Sequence, residues 1–162
     1  MSEEVRLAGG VTLRAAAVGD EDAVAALSVA LYVEDPGARP ITPADVARTL
    51  DHLRRHPERG RALVLDDGVE LLGYAFVIAF WSNELGGLVA LLDELYVAPA
   101  ARGRGLGTAL IAAIADGRTP GFEAPVAMDL EVTPDNARAR ALYARLGFAP
   151  QKNAGMRRLL RT

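Results

Sequence analysis

The 162-residue chain predicts an α+β fold in a single domain, residues 1–162, on three observations. Apolar runs follow one another closely between residues 62 and 97, parted only by short turns. Helix-like runs with capping signals stand before and after them. Three glycines within five residues, Gly103, Gly105 and Gly107, mark the place where the last of those runs gives way to a helix.

The elements read in order as follows. Val11 to Ala15 alternates like a strand, with Arg14 between apolar neighbours. Asp20, Glu21 and Asp22 open a helix whose positive end favours their charge. Its buried stripe is Val24, Leu27 and Leu31, and EDPGARP after Tyr32 ends it. Thr42, Pro43 and Asp45 start a second helix with a cap and a first-turn proline. Val46, Leu50 and Leu53 line that helix, and Pro57 stops it. ALVLDD (62–67), LLGYAFVIAFW (71–81) and LVALLDELYV (88–97) are strands joined by turns, which predicts an antiparallel meander. A helix from about Thr108 to Ala115 follows the glycines, with Leu110, Ile111 and Ile114 inward. VAMDLEV (126–132) reads as a strand, Asp135 or Thr133 caps a last helix, and Gly147 ends it. MRRLL (156–160) reads as an edge strand.

Composition narrows the function. Hydrophobic residues make up 51% and charged residues 24%, as in ordinary globular domains. With a net charge of −3, Lys152 the single lysine and no basic stripe, the chain is a poor nucleic-acid binder. No apolar run reaches the ~18 residues of a membrane span. MSEEVRLAGG has neither the basic start nor the apolar stretch of a secretory signal, so a cytoplasmic location is expected. The absence of cysteine removes disulfides, thiolate metal sites and thiol nucleophiles together. His52 and His56 have the i, i+4 spacing of a metal pair on a helix, but Leu53 follows His52 and no third ligand is near. No metal is expected.

The glycine cluster suits a phosphate. A helix start offers free N–H groups and a positive dipole end. Glycines admit close approach and positive φ. Arg102 and Arg104 add charge. GRGLGT lacks the lysine of a Walker loop, and it breaks the G-x-G-x-x-G spacing at Thr108 or, one glycine later, at Leu110. A nucleotide-binding module therefore fits poorly.

A different pattern fits every position: [RQ]-x-x-G-x-[GA], as Arg102, Gly105 and Gly107. It resembles the acetyl-CoA pyrophosphate loop of the GNAT superfamily of N-acetyltransferases. LDELYVAPAA before the loop is similar to the family's fourth strand. PDNARARALYARLGF (134–148) resembles its later signature through Asn136, Tyr143, Gly147 and Phe148. The order of elements agrees over nearly the whole chain. The resemblance implies a single mixed, mainly antiparallel central sheet flanked by helices, the GNAT-like acyl-CoA N-acyltransferase fold.

It also implies a site. Leu95, Tyr96 and Val97 would receive the pantetheine arm, where the fourth and fifth strands splay and leave backbone groups at Leu95 and Val97 to meet the arm and the thioester carbonyl. Arg102, Gly103, Arg104, Gly105, Leu106, Gly107 and Thr108 would wrap the pyrophosphate. Asn136 would hydrogen-bond the arm, and Tyr143, two helical turns on, would protonate the leaving thiolate. Tyr143 reads equally as a core aromatic. The amine must lose a proton, and Glu94 is the first candidate base. Asp93 points to the opposite face of a regular strand, a bulge could exchange the two, and Glu131 is the reserve. The acceptor pocket would draw on Tyr32, Glu34, Asp35, Trp81 and Glu84, aromatic walls with negative charge for a cationic amine.

The expected activity is direct acetyl transfer from acetyl-CoA to a primary amine in a ternary complex, with a small cationic amine first. Two alternatives stay open: an Nα-acetyltransferase acting on a peptide or protein amine, and an acyl-CoA-binding module without chemistry. Homodimerisation is compatible with the sequence but not required by it.

Overall fold

A computed structural model describes residues 4–119 and 121–160. The chain forms two compact units, Met1–Glu131 and Val132–Thr162. In the first, β1 (Glu4–Arg6), β2 (Thr12–Ala15), β3 (Gly60–Asp66), β4 (Leu71–Ser82), β5 (Gly87–Val97) and β6 (Ala127–Leu130) join in one sheet in chain order. Each neighbouring pair is antiparallel except the last, in which β5 and β6 run parallel. A parallel pair needs a crossover, and α3 (Leu106–Ala115) lies within it. The sheet is mixed and mainly antiparallel, with β3 to β5 as the expected meander.

One face of the sheet is covered by α1 (Glu21–Glu34) and α2 (Pro43–Arg55). Ala62, Val64, Tyr74, Phe76 and Tyr96 meet Val24 and Ala25 of α1 and Val46, Leu50 and Leu53 of α2 in a single buried cluster. Each fully buried aliphatic side chain in such a cluster contributes about 1.5–3 kcal/mol. Strand alternation sends Leu63, Leu65, Ala75 and Val77, also buried, to the other face. Leu110, Ile111 and Ile114 are the buried residues foreseen for α3.

The caps explain where these helices start. Thr42 and Asp45 form a reciprocal capping box at α2, with Asp45 N–H donating to Thr42 Oγ1 at 3.3 Å and Thr42 N–H to Asp45 Oδ2 at 3.0 Å. Arg14 of β2 binds Asp20 at 2.7 Å and Asp66 at 2.7 Å, which ties the start of α1 to the end of β3. Helix α1 continues two residues past Tyr32, so Tyr32 and Glu34 belong to its last turn rather than to the connection.

The second unit contains α4 (Ala137–Arg145). Its cap is Asn136, whose Oδ1 accepts from Ala139 N–H at 3.1 Å, not Asp135 or Thr133. Gly147, with φ +90°, closes it. Phe148 N–H reaches back to Tyr143 O at 3.0 Å and Gly147 N–H to Ala144 O at 3.1 Å, and the Phe148 ring stands edge-on to Tyr143 at 5.8 Å. Both bonds and the apolar contact make a Schellman ending, which is what Gly147 and Phe148 do for this helix.

One expectation about strands fails, and one strand was missed. Residues 156–160 form no strand, and Met156, Leu159 and Leu160 are exposed, so a short apolar run alone was insufficient without a pairing partner. Conversely, β1 was not foreseen, because three residues are too few to show a period.

Candidate active site

Strand β5 holds one residue too many for its partner. Val77 of β4 faces Leu92 and Phe76 faces Glu94, so Asp93 is a bulge. Before the bulge, Leu91 pairs with Ile78 and shares its face, that of α1 and α2; after it, Glu94 pairs with Phe76 on that face. Had pairing continued regularly past Leu92, Asp93 would face Phe76 and take Glu94's place. The bulge therefore decides which of the two carboxylates lies under α1.

The same point ends the pairing with β6, which reaches only to Leu92 opposite Leu130. Ala98 N–H donates to Leu72 O at 2.8 Å toward β4. Antiparallel alternation then turns the backbone groups of Leu95 and Val97 away from β4, toward the edge that β6 leaves. Val97 O accepts from Arg102 Nε at 2.9 Å, and its N–H remains directed to that edge. Leu95 and Val97 thus stand where a splayed pair of strands would place them, and Tyr96, between them, is buried in the core.

Glu94 receives two phenols. Tyr32 Oη donates to Oε1 at 2.9 Å and Tyr74 Oη to Oε2 at 2.6 Å. Burial, reinforced by the Glu94 bond and charge, pushes the Tyr32 phenol up to about 12. Burial, then the Glu94 charge, pushes the Tyr74 phenol up still more strongly. Both stay protonated donors at neutral pH. Fully buried Ser28 lies close enough to Tyr74 to favour its anion, yet its Oγ makes no hydrogen bond of ordinary geometry. A carboxylate with two oxygens has about four acceptor sites, so Glu94 keeps capacity for a further donor. Tyr74 was absent from the sequence expectation, although a tyrosine inside the apolar run LLGYAFVIAF signals a buried hydroxyl that needs an acceptor.

Past β5, Gly103 (φ +77°) and Gly105 (φ +71°) adopt left-handed conformations that other residues resist. Gly105 is the N-cap of α3 and supplies no side-chain bond, and the first turn holds no acid. The N–H groups of Leu106, Gly107 and Thr108 open the helix without such a cap. Gly107 has an ordinary helical backbone, and a Cβ added there would find Leu95 Cδ2 at 3.8 Å as its nearest neighbour. Neither strain nor a protein neighbour requires that glycine.

Arg102 turns away from this turn. One Nη2 donates to both oxygens of Glu34 at 2.9 and 2.8 Å, and the guanidinium lies 5.3 Å from the centre of the Tyr96 ring. Tyr96 Oη donates to Glu34 Oε1 at 2.9 Å. Arg102, then Tyr96, holds the Glu34 carboxyl below the usual carboxylate range. Glu34 is consequently already paired, while the Arg104 side chain reaches the β1–β2 connection, its Nη2 3.4 Å from the Cβ position of Gly9, within electrostatic reach of Asp67.

The foreseen acceptor residues do not gather at one point. Tyr32 touches Glu94, which faces Phe76, whereas Trp81 lies five residues further along β4, roughly 17 Å away at strand spacing. Trp81 and Glu84 are exposed at the β4–β5 turn, and Asp35 caps the end of α1. Asn136 and Tyr143 lie in the second unit, at the cap and in the helix described above. Among the described residues, no His, Cys, Asp and Glu side chains group as a metal site.

Residues 25–148 match the acetyltransferase (GNAT) family. A mycothiol acetyltransferase of Pseudarthrobacter chlorophenolicus is 35% identical over 90% of this chain and 44% of its own length. Another, of Thermobispora bispora, is 38% identical over 77% of this chain and 40% of its own. The chain thus spans less than half the length of these relatives. A possible acetyltransferase of Clostridium difficile 630 shares the fold, with a TM-score of 0.78 at 20% identity over 93% of this chain and 99% of that one. The family match covers most of the sequence, from α1 through the glycine loop to Phe148, and the chain belongs to the GNAT acetyltransferase family.

Proposed function

We propose that this chain is an N-acetyltransferase that moves an acetyl group from acetyl-CoA to a primary amine by direct attack. The observation that carries the reading is the uncapped start of α3 behind Gly103 and Gly105, set directly after the β5 stretch that β6 leaves open. Gly107 supports it further: a helical glycine costs up to about 1 kcal/mol against alanine, and nothing in the protein needs its bare backbone. A phosphate close to the N–H groups would.

When bound, acetyl-CoA supplies the thioester. The N–H groups of Leu106, Gly107 and Thr108 would hold the pyrophosphate with the α3 dipole, and Arg104 would add charge. The edge of β5 would align the arm, and the Val97 N–H would be the donor available to stabilise charge on the thioester carbonyl. Glu94 takes the proton of the attacking amine, directly or through one water. As the new C–N bond forms and the C–S bond breaks, the sulfur needs a proton. Assignment of that proton to Tyr143, and of a bond to the arm to the Asn136 amide, rests on the family signature alone. Tyr143→Phe tests it: kcat should fall while affinity for CoA holds, and normal turnover would leave the tyrosine as packing.

A small cationic amine remains the first acceptor class, now on the strength of Glu94 rather than Glu34. The names of the two curated relatives add a mycothiol-type acceptor to the candidates. A cytoplasmic location belongs to the same reading. The test is a panel of free amines, amino-terminal peptides and a mycothiol-type amine with acetyl-CoA, followed by release of free thiol. Release with none of these, together with binding of CoA, would favour an acyl-CoA-binding module instead.

A further inference from the structure

The last turn of α1 makes two connections to β5 and the glycine loop. Tyr32 reaches Glu94, and two residues on, Glu34 receives Tyr96 Oη and Arg102 Nη2. Glu94 and Tyr96 are likewise two residues apart, so they project from the same face of β5. Residues i and i+2 of a helix project roughly 200° apart, so the turn engages the strand from both sides of its own axis. Arg102 completes the assembly by binding the carbonyl of Val97, the last residue of β5. An arginine in a phosphate loop that faces a carboxylate adds little positive charge for a phosphate. Its three partners, Glu34, Val97 and the Tyr96 ring, instead fix the start of the loop against the helix and the strand.

We propose that the last turn of α1 is a positioning element for acetyl transfer: Glu34 registers the glycine loop and Tyr32 registers Glu94, so one piece of helix sets the spacing between them. Neither side chain serves as a negative wall for the amine. The proposal deepens the acetyltransferase reading and rests on it. Tyr32 from α1 and Tyr74 from β4 bond Glu94, while Asp93 on β5 and Arg39 from beyond the helix act on Tyr32.

The test uses the full chain with Glu34→Gln, Tyr32→Phe and the double variant. CoA affinity is measured by calorimetry, and kcat and KM are measured for the best amine of the panel across pH. Glu34→Gln should lower kcat about tenfold while CoA affinity changes less than about threefold, and the double variant should lose at least about threefold less than the product of the single losses, as coupled neighbours do. Tyr32→Phe should lower kcat while KM for the amine changes less than about threefold, a split that a merely structural role would not produce. Multiplicative losses would overturn the proposal, as would normal kcat in Glu34→Gln with a raised KM for the amine, which would return Glu34 to amine binding. Those outcomes leave the enzyme reading intact. If the unaltered chain fails to bind CoA, both fall.

Discussion

Tyr32 and Glu94, 62 residues apart in sequence, meet at 2.9 Å because a single extra residue, Asp93, rephases β5 just before Glu94. The bulge selects the carboxylate, and the helix turn holds it through a phenol. If Glu94 takes the amine proton, Glu94→Gln keeps the shape and both hydrogen-bonding oxygen positions only in part, and it removes the base. The expected loss in kcat/KM is about 10²-fold or more, in the range of general-base catalysis, with CoA affinity nearly unchanged. Steady-state kinetics and calorimetry measure the two. A variant within about threefold of the parent would move the role to Asp93, Glu131 or solvent, beyond the scatter of ordinary surface changes.

The bulge can be tested by removing it. Deletion of Asp93 leaves Leu92 opposite Val77 and Glu94 opposite Phe76, so each keeps its partner and its face. What disappears is the local bend, and β6 becomes free to pair past Leu92. We expect a folded protein, with CoA affinity reduced at least about tenfold because the Leu95 and Val97 edge is covered. A melting curve establishes folding, and calorimetry gives the affinity. Retained affinity would show that the open edge of β5 does not depend on the bulge.

How much of this could be read from the residues differs from element to element. The capping box of Thr42 and Asp45, the α2 stripe and the meander are local, and local spacing reveals them. The glycine spacing at Gly105 and Gly107 likewise lies within a few residues. Glu94 was legible as a candidate, but its choice over Asp93 was not, because a bulge depends on the register with β4. The pairing of Arg102 with Glu34 joins residues 68 apart, and no sequence period encodes it. The family pattern and charge together placed Arg102 on the phosphate and Glu34 near the amine, and geometry placed each on the other. Tyr74 lay in plain view as the one hydroxyl in the apolar run 71–81, and the rule that a buried hydroxyl needs an acceptor was enough to find it.

Glycines 105 and 107 separate folding from binding. Gly105 has φ +71°, so Gly105→Ala should destabilise the fold by about 1–2 kcal/mol. Gly107 has helical φ, and its Cβ position is in ordinary contact only with Leu95 Cδ2 at 3.8 Å. Gly107→Ala should therefore raise stability by a few tenths to about 1 kcal/mol. It should nevertheless weaken CoA binding, since the methyl group occupies the approach to the helix N–H groups. Thermal melts and calorimetry on the two variants suffice. Unchanged CoA affinity in Gly107→Leu would remove the pyrophosphate from this turn.

The Tyr32 phenol also makes stability depend on alkaline pH. Its value is raised from 10.0 to about 12, first by burial and then by the Glu94 bond. A raised value means that the folded state holds this proton more tightly than the unfolded chain. The contribution is therefore complete below pH 10 and is lost as pH rises from 10 through 12. Tyr74 is shifted in the same direction, by burial and then by the Glu94 charge, and adds to the same slope. Tyr32→Phe removes one of these protons, so its stability should fall less steeply than the parent's across that window, even if it is lower at pH 8. Denaturant unfolding at several values between pH 8 and 12 gives both slopes. Parallel curves would mean that Tyr32 ionises alike in the folded and unfolded chains and that its bond to Glu94 does not persist in solution.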